Sequence, residues 1–85
     1  MIVYPRIMQT KKLIDRIRAL RQHLGWTQEQ LAVRAGLHRN TIATLETQYP
    51  GGTSIATYDA IAQALGWQLD ELVSDRFELP TKEGP

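Results

Sequence analysis

"TQEQLAVRAGLHRNTIATLE", residues 27–46, decides how this chain reads. Thr27 can cap a helix, and Gln30 three residues later completes a capping box. Trp26 before the cap and Leu31 beyond it are spaced as a hydrophobic staple. Together they predict a helix over Gln28–Ala35. Gly36 ends it, because a helix C-cap needs a residue that tolerates left-handed backbone. Ala32 is small where a second helix would cross closely. After a short turn, "HRNTIATLE", 38–46, predicts a third helix. At about 100° per residue, Ile42 and Leu45 fall on one side, while Arg39, Asn40, Ala43 and Thr44 fall mostly on the other. That second side carries hydrogen-bond donors and acceptors rather than a dense run of charge.

Working outward, Leu13, Ile14, Ile17, Leu20 and Leu24 recur at helical spacing with Arg16, Arg18 and Arg21 between them. They predict helix one from about Thr10 to Leu24, ended by Gly25. "TQYPGG", 47–52, breaks the pattern with Pro50 and two glycines. Ser54 is a good cap for helix four, with Ile55, Tyr58, Ile61, Ala62 and Leu65 on one face and Gly66 at its end. "LGWTQEQL", 24–31, and "LGWQLDEL", 65–72, repeat one punctuation: helix end, glycine turn, stapled new helix. This is shared local physics rather than a duplicated domain, and Gln68 is a poorer cap than Thr27. Helix five is expected from about Leu69 to Ser74. The result is an all-α domain over residues 10–74. A tail, "DRFELPTKEGP", occupies 75–85, and "MIVYP" opens a 1–9 extension that is either a strand or disordered.

Eighty-five residues allow one domain with a modest core. The absence of cysteine excludes a disulfide framework and a Cys-based zinc site, and fits a reducing compartment. No apolar run approaches the roughly 18 residues of a membrane span. Arg6 interrupts the apolar start and no signal-peptide cleavage pattern follows, so a cytoplasmic protein without membrane attachment is expected. The net charge of +1 hides an asymmetry: residues 1–45 carry +6 and residues 46–85 carry −5. One end is therefore expected to meet a polyanion and the other not. His23 and His38 lack metal-ligand spacing, and neither a phosphate loop nor an H-E-x-x-H is present. No enzyme activity, metal or cofactor is expected.

The spacing of Gln28, Ala32, Gly36, Ile42 and Leu45 is what a helix-turn-helix unit needs. Cap, small residue, turn glycine and both locking apolar residues agree in register. From about Leu13 to Val73 the chain resembles the Cro/phage-repressor-type, XRE-like, helix-turn-helix family. The resemblance implies a compact five-helix lambda-repressor-like domain whose helix three enters the major groove of double-stranded DNA. By position, Arg39, Asn40 and Thr44, with Ala43, resemble the base readers. Arg can fork onto guanine, Asn can pair with adenine, and Thr or Ala can meet a thymine methyl. Gln28, with Thr27 beside it, sits at the first turn of helix two, where free amides and the dipole favour a phosphate. Arg21 resembles a family arginine placed both to reach a phosphate and to pair with the glutamate ending helix three, here Glu46.

Three departures from the family pattern stand out. His38 lies where Ser or Thr is usual, so it either caps weakly or contacts phosphate itself. The somewhat long loop "TQYPGGTS" has no Lys or Arg, leaving the amides of Gly51 and Gly52 for phosphate contact. A DNA-binding repressor or autoregulator is the first expectation. The second is an antitoxin or anti-activator acting through a protein partner. Persistence-type antitoxins look similar around "RQHLGWTQ" and in a Pro-containing loop after helix three, and controller regulators of restriction–modification operons are similar too. A homodimer is expected, because one recognition helix reads few base pairs. Its interface is placed in the acidic half, on Trp67, Leu69, Leu72, Val73, Phe77 and Leu79, with "MIVYP" as a rival contact.

Overall fold

The structure, a computed structural model, describes residues 10–50 and 52–79. The reading of residues 1–9 and the phosphate role of Gly51 lie outside the described residues, as does the end of the tail. Five helices follow in order: α1 Thr10–His23, α2 Gln28–Ala35, α3 Arg39–Gln48, α4 Ile55–Ala64 and α5 Leu69–Leu72. No strand occurs among the described residues.

Local chemistry sets most of the helix ends. The Thr27 hydroxyl accepts from the Gln30 N–H at 3.0 Å, and the Gln30 side chain accepts from the Thr27 N–H at 2.8 Å. Both halves of the predicted box are present, and α2 runs over the predicted residues. Gly36 adopts φ 71°, and Leu37 N–H returns to the Ala32 carbonyl at 2.9 Å, closing α2 with a left-handed turn. Ser54 caps α4 by accepting from Thr57 N–H at 3.2 Å.

Two ends differ from the sequence expectation. α3 continues to Gln48, two residues past Glu46, because Tyr49 rather than a glycine takes the left-handed closing position. α5 stops at Leu72 rather than Ser74. Arg16 explains this end: its guanidinium donates to the carbonyls of Leu72 and Ser74. Those carbonyls are satisfied from α1 instead of by another helical turn.

α1 packs against α3 and α5, α2 against α3 and α4, and α4 against α5. Between them Ile14, Ile17, Leu20, Leu31, Ile42, Ile61 and Leu72 are fully buried. Each contributes about 1.5–3 kcal/mol relative to an exposed side chain. Leu24 and Ile55, assigned from periodicity to apolar faces, are 43% and 53% exposed. Leu24 lies past the end of α1, and Ile55 is the first residue of α4, a turn before its buried face begins at Tyr58. No helix among the described residues is long and apolar enough to cross a membrane.

Candidate nucleic-acid interface

Glu46 organises the site. It sits on the inner side of α3, is 4% exposed, and is the only buried charged residue among those described. Arg21 of α1 forks onto it, Nε to Oε2 at 2.8 Å and Nη2 to Oε1 at 2.9 Å. The remaining Arg21 nitrogen donates to the Trp26 carbonyl at 2.8 Å. Gln28 of α2 donates to Glu46 Oε1 at 3.0 Å, and Arg18 Nε lies 3.7 Å from the same oxygen. Burial pushes the Glu46 carboxyl up. Hydrogen bonds from Arg21 and Gln28, with the charges of Arg21 and Arg18, outweigh it and hold the group below the usual carboxylate range. One carboxylate thus ties α3 to both α1 and α2.

With that side pinned, the other side of α3 faces solvent. Arg39, Asn40 and Thr44 are exposed and Ala43 is half-buried, while Ile42 and Leu45 lie in the core. The two extra residues of α3 add exposed Thr47 and Gln48 to this outer side. Thr47 escaped the sequence reading, which ended the helix at Glu46. Its hydroxyl donates back to the Ala43 carbonyl at 2.8 Å. Asn40, Thr41 and Thr44 form one wall of a groove of about 340 Å3, and Pro50 and Thr53 form the other. His38 is the N-cap of α3, with Nδ1 accepting from Asn40 N–H at 3.3 Å. It therefore does the capping work, and the bond is long.

The predicted phosphate contacts divide. The side chains of Arg21 and Gln28 are engaged with Glu46, and Thr27 and Gln30 are engaged with each other. The capping box leaves the amides of Gln28 and Glu29 without an intrahelical partner at the start of α2. Gly52 is exposed. Part of the basic half is also engaged within the chain, although Lys11, Lys12, Arg34 and Arg39 remain exposed. Arg16 holds backbone carbonyls, Arg18 and Arg21 face Glu46, Lys11 pairs with Asp15 at 3.1 Å, and Arg34 lies 4.2 Å over the Trp26 ring.

The residues assigned to a dimer contact divide as well. Leu69 and Leu72 are 4% and 0% exposed in the core of their own chain, so neither is available to a partner. A four-residue helix lying against α4 needs both to cover that neighbour. Trp67, Val73 and Phe77 pack partly against the same core. The Phe77 ring lies 5.1 Å from Trp67 and 4.7 Å below the Arg16 guanidinium, so it folds back on its own chain. Leu79 is 43% exposed.

Comparison with known proteins agrees with this geometry. A helix-turn-helix family profile matches residues 17–72. Antitoxin HipB of Escherichia coli O6:H1 is 34% identical over 65 residues, covering 76% of this chain and 68% of that protein. Antitoxin HipB of Escherichia coli K12 is 32% identical over 65 residues, covering 76% and 73%. Among solved structures, a hypothetical transcription factor NHTF from Neisseria superposes with a TM-score of 0.71 at 25% identity, covering 87% of this chain and 85% of that one. A chain in the structure of a HipA–HipB–O2–O3 complex superposes with a TM-score of 0.64 at 25% identity, covering 98% and 99%. The matched span holds α2, the left-handed Gly36 turn and α3 locked through Glu46. The chain belongs to the helix-turn-helix family of the Cro/phage-repressor, XRE-like, type.

Proposed function

We propose that this protein is a sequence-specific DNA-binding transcriptional regulator, a repressor or autoregulator, that lays α3 in the major groove. The observation that carries the reading is the division of α3: its inner side is tied through Glu46 to α1 and α2, and its outer side presents Arg39, Asn40 and Thr44. Arg39 suits a guanine edge, Asn40 an adenine edge, and Thr44 with Ala43 a thymine methyl. Backbone amides at the start of α2, with Thr27, His38, Gly51 and Gly52, supply phosphate contacts. Arg21 and Gln28 act on DNA chiefly by holding Glu46, and through it α3.

A mobility shift with the protein's own upstream DNA against a random duplex tests this. Arg39→Ala should cost about 1–3 kcal/mol of specific affinity and relax preference at one base pair. Unchanged specific affinity at fixed salt would remove α3 as the reader.

The protein acts as a homodimer on paired half-sites. Leu79, a large apolar side chain left 43% exposed in the acidic half, supports a contact there. Leu79→Asp is a cleaner probe than cutting at Ser74, which also strips Phe77 from Trp67 and Arg16. Sedimentation of a wild type that stays monomeric at high micromolar concentration, with and without operator DNA, would exclude the dimer. The two HipB relatives favour a second reading, an antitoxin with a toxin partner protein. A toxin encoded next to this gene, co-purifying with the chain, would support it.

A further inference from the structure

α3 closes on a residue poorly suited to closing a helix. Tyr49 has φ 48° and ψ 55°, and is the only non-glycine residue with positive φ among those described. Glycine is the usual occupant of this conformation, because a Cβ crowds the backbone there. At Tyr49 the side chain is held from three directions. Its hydroxyl donates to Asp15 Oδ1 at 2.9 Å and accepts from Arg18 Nη2 at 3.1 Å. The Lys11 ammonium lies 5.4 Å from the ring centre. The same Arg18 nitrogen also donates to the Glu46 carbonyl in the last turns of α3.

Lys11, Asp15 and Arg18 recur at helical spacing on α1, and they are joined to each other by ion pairs of 3.1 and 3.6 Å. They form a second grip on α3, separate from the Arg21 fork on the Glu46 carboxylate. This grip acts on the C-terminal end of the helix, where Thr44 and Thr47 face outward. The Glu46 carboxylate anchors the same end of α3, so the Tyr49 contacts act beside it and limit how far the last turn, with Thr44 and Thr47, can shift.

Resting on the DNA-binding reading above, we propose that Tyr49 is a positioning residue for base recognition. Its phenol bridges Asp15 and Arg18, and this bridge limits how far the last turn of α3 can shift. An ordinary helix stop predicts something different: a glycine would serve as well or better, and base preference would not move.

The test uses the full chain with Tyr49→Phe and Tyr49→Gly. Two readouts are taken: amide hydrogen exchange at residues 45–48 without DNA, and the ratio of affinities for a selected operator and a random duplex at fixed salt. Tyr49→Phe keeps the ring and removes the bridge. Exchange at residues 45–48 should rise and the ratio should fall roughly tenfold, the scale of one charge-assisted hydrogen bond, with random-duplex affinity unchanged. Tyr49→Gly relieves the backbone but also strips the ring from the edge of the core, so it should melt lower than Tyr49→Phe and lose at least as much discrimination. A Tyr49→Gly protein that keeps both its protection and its ratio overturns the proposal and leaves the DNA reading intact. A wild type that distinguishes no operator from random duplex overturns both.

Discussion

Glu46→Ala should remove a large share of the stability of this domain. The carboxylate is 4% exposed and the Arg21 side chain 12% exposed, so the pair is screened little by solvent. A buried pair is not by itself a net gain over well-packed apolar residues, because desolvation offsets the attraction. Removing one member is costly because it leaves the other charge buried, at about 3–5 kcal/mol. Here Arg21 keeps its bond to the Trp26 carbonyl, which places the loss near the lower end, at about 3 kcal/mol. A domain of this length has roughly 4–13 kcal/mol in total. At about 4–8 °C per kcal/mol, the melting temperature should fall by roughly 12–24 °C. Thermal and urea melts at neutral pH measure it. Glu46→Gln should lose less, since an amide oxygen can still accept from Arg21 or Gln28. A double-mutant cycle with Arg21→Met should return a coupling of about 2–3 kcal/mol. A loss below about 1 kcal/mol for Glu46→Ala is what an exposed pair gives, and it would refute the buried network.

Acid should destabilise the protein. Burial raises Glu46 but Arg21 and Gln28 hold it low on balance, and the hydrogen bonds from Lys11 and Tyr49 hold Asp15 low. Carboxyls depressed in the folded state stabilise it above the ordinary carboxylate range, and that contribution is lost as pH falls through their folded values. Urea midpoints should therefore decline from about pH 5 downward, and Glu46→Gln should flatten part of that decline. An equally steep profile in Glu46→Gln would remove Glu46 as the cause. Gly36→Ala should cost about 1–2 kcal/mol from backbone strain alone, since nothing lies within 4 Å of an added Cβ. An unchanged urea midpoint would mean the turn is not left-handed. Arg16→Ala should free the carbonyls of Leu72 and Ser74 and the Phe77 ring, raising hydrogen exchange at residues 73–77 and costing about 1–2 kcal/mol. Unchanged exchange there would show that the C-terminal turn holds without it.

Local sequence sets where the five helices lie and the turn between α2 and α3, though not the C-terminal ends of α3 and α5. Thr27, Gln30 and Gly36 act within three or four residues of their partners, so their effects are written locally, and α2 occupies its predicted residues. The 3.6-residue period separated Ile42 and Leu45 from Arg39, Asn40 and Thr44 for the same reason. The Arg21–Glu46 pair was legible only through the resemblance to the family. Tertiary structure alone decided the rest. Arg16 reaches carbonyls 56 and 58 residues away, and Tyr49 reaches an aspartate 34 residues away. No local spacing encodes such partners. Tertiary packing also took Gln28 to Glu46 rather than outward, and Leu69 and Leu72 into the core rather than to a partner chain. Periodicity identifies an apolar face but not the neighbour that covers it. Composition counts charges but not which of them turn inward to satisfy buried carbonyls and a buried carboxylate. Both depend on how the helices cross, and the crossing is set by the packing of the whole core.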